Sequence, residues 1–275
     1  MTLWQRLLRG NEWSKLADLV SPTFFELVSA RDISARIFEI ARNWLDSAGF
    51  DQLIETRRAS AERCQIPVDV SKRGREKRAL AAGPVEGVDS GGTGSRVSPR
   101  VGDVALDLYF HQVFTDTRAL LDFRAACFDL HDGGTMVRYQ PTPIWVRWSS
   151  EFAMALRALY DGFYQNDDVV FRAALSGLGV APAETVFRSA FGGEHRRQYL
   201  FTLADFKATF HQVFVACREK GSRIHPDFIT LGVALATLYG HLERTGHSFD
   251  VEACYERGSC RAAREIGVAV ESGRK

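Results

Sequence analysis

Apolar residues recur at helical spacing along most of the chain. In DISARIFEIARNWLDSAGF, the residues Ile33, Ile37, Phe38, Ile40, Ala41, Trp44 and Leu45 fall on one stripe, with Asp32 as the expected N-cap and Gly49 as the expected stop. Phe24, Phe25, Leu27 and Val28 lead into it. The pattern predicts a helical N-terminal arm over 1–57. Further helices are expected at about 103–130, 149–165, 167–178, 183–190, 202–220, 226–245 and 259–270. Pro226 opens the sixth of these, where its missing N–H is no loss.

Two stretches break the helical period. From Arg58 to Gly102 the chain is rich in Gly, Ser, Pro and Arg and poor in large apolar residues. Such a segment buries too little surface to offset its ordering entropy, so a flexible linker is expected over 58–102. In DGGTMVRYQPTPIWVRW, Asp132-Gly133-Gly134 is turn chemistry, and β-branched and aromatic residues follow. Pro141 and Pro143 forbid a regular central strand there. The expected fold is mainly α: a multi-helix bundle over 103–275 with a short β or extended excursion near 135–148, preceded by the arm and the linker.

Composition narrows the function classes. The chain has 275 residues, 45% hydrophobic and 25% charged, which suits a globular protein with a real core. A net charge of +1 argues against a dedicated nucleic-acid or membrane-surface binder. The basic cluster Lys72, Arg73, Arg75, Lys77 and Arg78 has no interleaved aromatics for base stacking and reads as solvated linker. Five cysteines (Cys64, Cys127, Cys217, Cys254 and Cys260) are an odd number at no metal-ligand spacing, as expected of reduced thiols in a cytoplasmic protein. No signal-peptide core stands out, and no run approaches the roughly 18 apolar residues of a membrane span. Neither a metal nor a cofactor is expected.

Candidate chemistry is sparse. Phe110-His111-Gln112-Val113-Phe114 recurs as Phe210-His211-Gln212-Val213-Phe214, and ALRALY over 155–160 is echoed by ALATLY over 234–239. An old duplication and two helices solving one packing problem both account for this. His111 and His211 are candidate ligands facing each other across a bundle, or boundary histidines. Asp167 and Asp168 read as a helix cap. Arg196 and Arg197, after Gly192-Gly193, form a candidate anion loop. Phe24, Phe25, Trp44, Trp145 and Trp148 are candidate partner contacts.

The stretch 103–252 resembles the C-terminal lobe of the UbiB/ADCK atypical kinase-like family. LDLYFHQVF has the form of the family's LFFRQVF-type helix. Asp132-Gly133-Gly134, Ser149-Ser150-Glu151-Phe152 and HPDFITLGVALATLYGHLERTGHSFDV follow in the family's order. The catalytic parts do not carry over. Asp129-Leu130-His131-Asp132-Gly133 keeps only a D-x-H-x-G echo of the catalytic loop, Gly134 stands where the metal-binding asparagine would be, and no DFG follows. Phosphoryl transfer needs those charge-neutralising groups. The resemblance implies a non-catalytic interaction or regulatory protein, its N-terminal arm docking on a partner protein. The alternative is a helical enzyme or carrier holding a small ligand between its helices: a nucleotide, a quinone-like molecule, a metal or haem. Its candidate ligand-binding residues are His111, His211, Asp129 and His131.

Overall fold

Ser29 opens the first helix, α1 (Ala30–Leu45). Its hydroxyl accepts the Asp32 N–H at 3.1 Å and donates to the Asp32 carboxylate at 2.6 Å. Asp32, expected as the cap, is thus the residue three positions on that completes it. Asp46 closes α1 and caps α2 (Ser47–Arg63), accepting the Gly49 N–H at 2.8 Å. Gly49 is therefore no stop. It sits in the first turn of α2, where a Cβ would stand 2.2 Å from the Asp46 carboxylate. The computed structural model describes residues 27–72, 98–190 and 198–259.

Helix α2 runs into the expected linker, burying Phe50, Leu53, Ile54 and Ala61. Ile66, Val68 and Val70 then alternate inward along β1 (Val68–Val70). The linker boundary is thereby corrected: the structure builds 58–72 into the core, and α3 (Pro99–Thr115) starts before residue 102. Gly, Ser and Arg around it masked a period-2 alternation of branched residues, which is a strand signal. Phe24, Phe25, Arg196, Arg197, the basic cluster beyond Lys72, and the expected helix at 259–270 beyond Ser259 lie outside the described residues. Lys72 itself pairs with Asp51 at 2.7 Å on the surface.

Twelve of the seventeen residues of α3 are buried, and from Val104 to Val113 every residue is, so beyond its partly exposed first turn the helix runs through the core. Its buried polar side chains each reach a different neighbour. Asp107 pairs with Arg257 at 3.0 Å, Tyr109 with the Tyr160 hydroxyl at 2.7 Å, and His111 with Ser60 Oγ at 2.6 Å. Gln112 exchanges two hydrogen bonds with the Leu120 backbone, at 3.3 and 3.1 Å.

The helix expected over 103–130 ends at Thr115. Asp116 turns its carboxylate onto the N–H groups of Thr117 and Arg118, and Arg157 takes the exposed end carbonyls of Val113 and Asp116. Strands β2 (Arg118–Leu120) and β3 (Phe128–His131) occupy the remainder. The expected excursion is β4 (Met136–Tyr139) and β5 (Trp145–Arg147), with Pro141 and Pro143 between them, where no ladder N–H is missed. β1 pairs parallel with β4, β3 antiparallel with β4, and β2 antiparallel with β5.

The rest is helical. α4 (Ser150–Tyr164) is capped by Ser149, and α5 (Asp168–Gly177) by Asp167, which accepts the N–H groups of Val169 and Val170 at 3.0 Å. The acidic pair is thus a cap, as its position suggests. α4 and α5 touch at Gly162, where a Cβ would lie 2.4 Å from the Phe171 nitrogen. Then come α6 (Glu184–Ala190), β6 (Tyr199–Leu200), α7 (Leu203–Glu219), α8 (Phe228–Thr245), β7 (Ser248–Phe249) and a last helix, α9, over 251–259. No described helix is long and apolar enough to cross a membrane.

Two candidate partner contacts, Trp145 and Trp148, which their size also suits to a core, are buried. Trp148 is buried and donates its indole N–H to Thr230 at 2.9 Å. Trp145 is also buried, and its carbonyl accepts from Asn43 on α1 at 2.9 Å. The described part of the N-terminal arm belongs to the same packed core, tied further by Arg36 to Asp227 (2.9 Å) and by Glu39 to the Arg147 N–H (3.0 Å). Leu53→Ala is expected to cost about 3 kcal/mol in urea unfolding, and deletion of 1–57 to leave no cooperative transition. A truncated chain that melts like the full one would show the arm to be separable.

Candidate functional site

Six elements meet around an apolar chamber of about 100 Å³. α3 contributes Leu106, Tyr109 and Phe110, and α4 contributes Leu156, Leu159, Tyr160 and Tyr164. α8 supplies Phe228, Leu231, Leu235, Leu238 and Tyr239, while Phe206, Thr209, Phe210 and Val213 come from α7. Phe187 and Ala190 of α6, with Tyr199 and Phe201 at β6, complete the wall, and Val251 touches it. The α3, Leu156, Leu159 and Leu231 positions are buried, whereas Tyr164, Phe187, Tyr199, Thr209, Phe210 and Leu235 are half-buried. The chamber therefore has a closed floor on α3 and an edge nearer solvent.

Aromatic rings carry the wall. Phe201 and Tyr239 meet edge to face at 4.8 Å, Phe206 lies 4.3 Å from Phe210 and 5.1 Å from Tyr239, and Phe110 packs at 5.2 Å on Tyr160. Edge-to-face contacts hold rings rigidly apart, so the space between them is shaped rather than collapsed. No charged side chain lines it among the described residues.

The polar atoms are phenols. Burial, then neighbouring hydroxyls, pushes Tyr109, Tyr164 and Tyr239 well above the ordinary tyrosine value, and burial pushes Tyr160 up to about 12. All four are neutral at physiological pH and act as hydroxyl donors and acceptors, not anions. Tyr164 and Thr209 both line the chamber, half-buried at its edge.

The internal echo falls on this wall. Phe110 and Phe210 both line it, and so do Leu156, Leu159 and Tyr160 of ALRALY and their counterparts Leu235, Leu238 and Tyr239 of ALATLY. The repeat was the one signal of the chamber present in the sequence. Spacing alone did not show that its two copies enclose a shared space.

The expected ligand residues do not converge. His111 is buried against Ser60, whereas His211 is exposed on α7, so the two cannot hold one metal or haem between them. Asp129 and His131 stand on the exposed β3–β4 hairpin, His131 Nε2 being 3.1 Å from Asp132. No group of three metal-ligating side chains occurs among the described residues. His241 is buried and donates from Nδ1 to the Phe123 carbonyl at 3.0 Å, and burial lowers it to about 4, so it is neutral.

One constellation imitates a nucleophilic triad. Ser149 Oγ is 3.4 Å from His225 Nε2, and His225 Nδ1 is 3.8 Å from Asp227. The tautomer is wrong for catalysis. The Asp227 N–H donates to Nδ1 at 3.1 Å, which leaves the ring proton on Nε2, where a general base needs a lone pair. Ser149 Oγ is also occupied, accepting the Phe152 N–H as a cap. The Asp227 carboxylate accepts the Ser149 N–H at 2.9 Å and pairs with Arg36. The cluster joins α1, α4 and α8.

The chain matches no family model, no curated protein and no solved structure. The chamber therefore has to be interpreted from its own chemistry.

That chemistry is testable in alkali. The folded phenols hold their protons above the value of about 10 found in an unfolded chain, so their contribution to stability is constant below pH 10 and is lost as pH rises from 10 towards 12. Absorbance at 295 nm is expected to show the chamber tyrosines ionising only in one cooperative step with unfolding. Gradual ionisation of all tyrosines near pH 10 would mean that the chamber is open to water.

Proposed function

We propose that this protein binds a small apolar ligand in the chamber between α3, α4, α7 and α8. The observation that carries the proposal is a ring-lined space of about 100 Å³ with no charged lining residue among the described residues. Apolar cavities of this order stay dry and accept single-ring hydrocarbons. Among the described residues no cation lines the chamber for a triphosphate, and no ligands converge for a metal. A flat, neutral, quinone-like ring fits the wall best, its faces meeting aromatic edges.

A ligand that binds only the folded protein raises its melting point by mass action. Ethylbenzene at about a hundred times its dissociation constant is expected to stabilise the chain by about 2.7 kcal/mol. Leu235→Trp, which places an indole in the half-buried edge of the chamber, is expected to abolish the shift. A shift that survives in the variant would place binding elsewhere, and no shift in the wild type would overturn the reading.

A second reading, a non-catalytic interaction protein of the kinase-like kind, rests on a different observation. The outer face of α1 exposes Phe38 (77%), Leu45 (76%) and Trp44 (38%), the first two seven residues apart on one stripe. Apolar residues this exposed on one helical face suit a protein partner. Phe38→Asp with Leu45→Asp is expected to leave urea stability within about 0.5 kcal/mol while abolishing any complex the chain forms. Loss of stability would assign the stripe to the fold.

A further inference from the structure

Resting on the second reading above, we propose that the partner of the α1 stripe is a second copy of this chain, the two α1 helices packing antiparallel. α1 spends its inner face on α2, β5 and α8. Its outer face presents Arg31, Ser34, Phe38, Ala41 and Leu45 at steps of three and four residues, and all but the half-buried Ala41 are exposed. Large and small side chains alternate along it. Phe38 and Leu45 stand seven residues apart, and so do Ser34 and Ala41.

A face of this kind is complementary to itself in one orientation. Turned antiparallel about a two-fold axis between residues 39 and 40, each copy lays its Phe38 over Ala41 of the other and its Leu45 over Ser34. Every large side chain then meets a small one, as knobs meet holes. A parallel pair in register sets Phe38 on Phe38 and Leu45 on Leu45, and leaves the small positions facing each other across a gap. Charge favours the same choice. Exposed Arg31 opens the stripe, and the exposed cap carboxylate of Asp46 closes it. In the antiparallel pair Arg31 comes within two residue steps, about 3 Å along the axis, of Asp46 in the other copy, and the contact is made twice. In the parallel pair Arg31 meets Arg31. The antiparallel order also sets the two helix dipoles head to tail.

The test is sedimentation equilibrium of the full-length chain over a wide concentration range, in reducing buffer so that no dimer forms through cysteine. A concentration-dependent dimer is expected, weakened by salt and by Arg31→Asp. Leu45→Ala, which removes a knob, and Ser34→Leu, which sets leucine against leucine, are each expected to weaken it about tenfold. Leu45→Ala combined with Ser34→Leu exchanges large for small at facing positions and is expected to regain most of that loss. Both positions are exposed, so unchanged urea unfolding of each variant reports an intact fold. Losses that merely add in the combined variant would overturn the antiparallel register. A dimer that survives Phe38→Asp with Leu45→Asp would place the contact elsewhere and overturn this inference. A wild type that stays monomeric would overturn the second copy alone, and the second reading would then stand or fall on a partner of another sequence.

Discussion

The structure depends on dehydrating the middle of one helix. There α3 has no face left for water, yet it carries Asp107, Tyr109, His111 and Gln112. A buried polar group without a partner costs on the order of 1–3 kcal/mol, so each of these dictates what must lie beside it. Asp107 requires Arg257, Tyr109 requires Tyr160, His111 requires Ser60, and Gln112 requires the backbone of β2. Apolar residues alone would bury the helix but would tolerate several rotations of it. Asp107 and His111, four residues apart, hold one face of the helix, while Tyr109 and Gln112 hold others, so together they fix its rotation.

The chamber follows from that orientation. With Asp107 and His111 directed at Arg257 and Ser60, Leu106, Tyr109 and Phe110 are turned towards α4, α7 and α8. The facing helices answer with rings, which cannot interdigitate as aliphatic chains do. Rings in edge contact leave a gap, and this gap is bounded by phenols that burial keeps protonated.

Much of this architecture was legible in the sequence, and its omissions have physical causes. The 3.6-residue period located α4, α5, α7 and α8 closely, because each is amphipathic or strongly apolar over many turns. It overshot α3, since Leu120, Leu121 and Phe123 extend the apolar run after Asp116 has already turned the backbone. β1 was hidden because three residues carry little pattern and its partner, β4, lies far along the chain, Val68 pairing with Val137. For Trp145 and Trp148 core and interface stay open in sequence for a related reason: a tryptophan near an arginine looks the same whether its indole N–H meets Thr230 or solvent. The histidines drew attention for their chemistry, although the chamber is built from residue types that carry almost none.

The Asp107–Arg257 contact joins residues 150 apart in sequence, and the His111–Ser60 contact reaches back 51. During synthesis, α3 leaves the ribosome with its N-terminal partner already made and its C-terminal partner still to come. Until Arg257 emerges, the ion pair it makes with Asp107 is absent from the folding chain. The rings of the chamber are exposed throughout that interval. The helix over 251–259 thus acts as a clasp of long sequence separation, closing a loop of 150 residues onto the middle of α3.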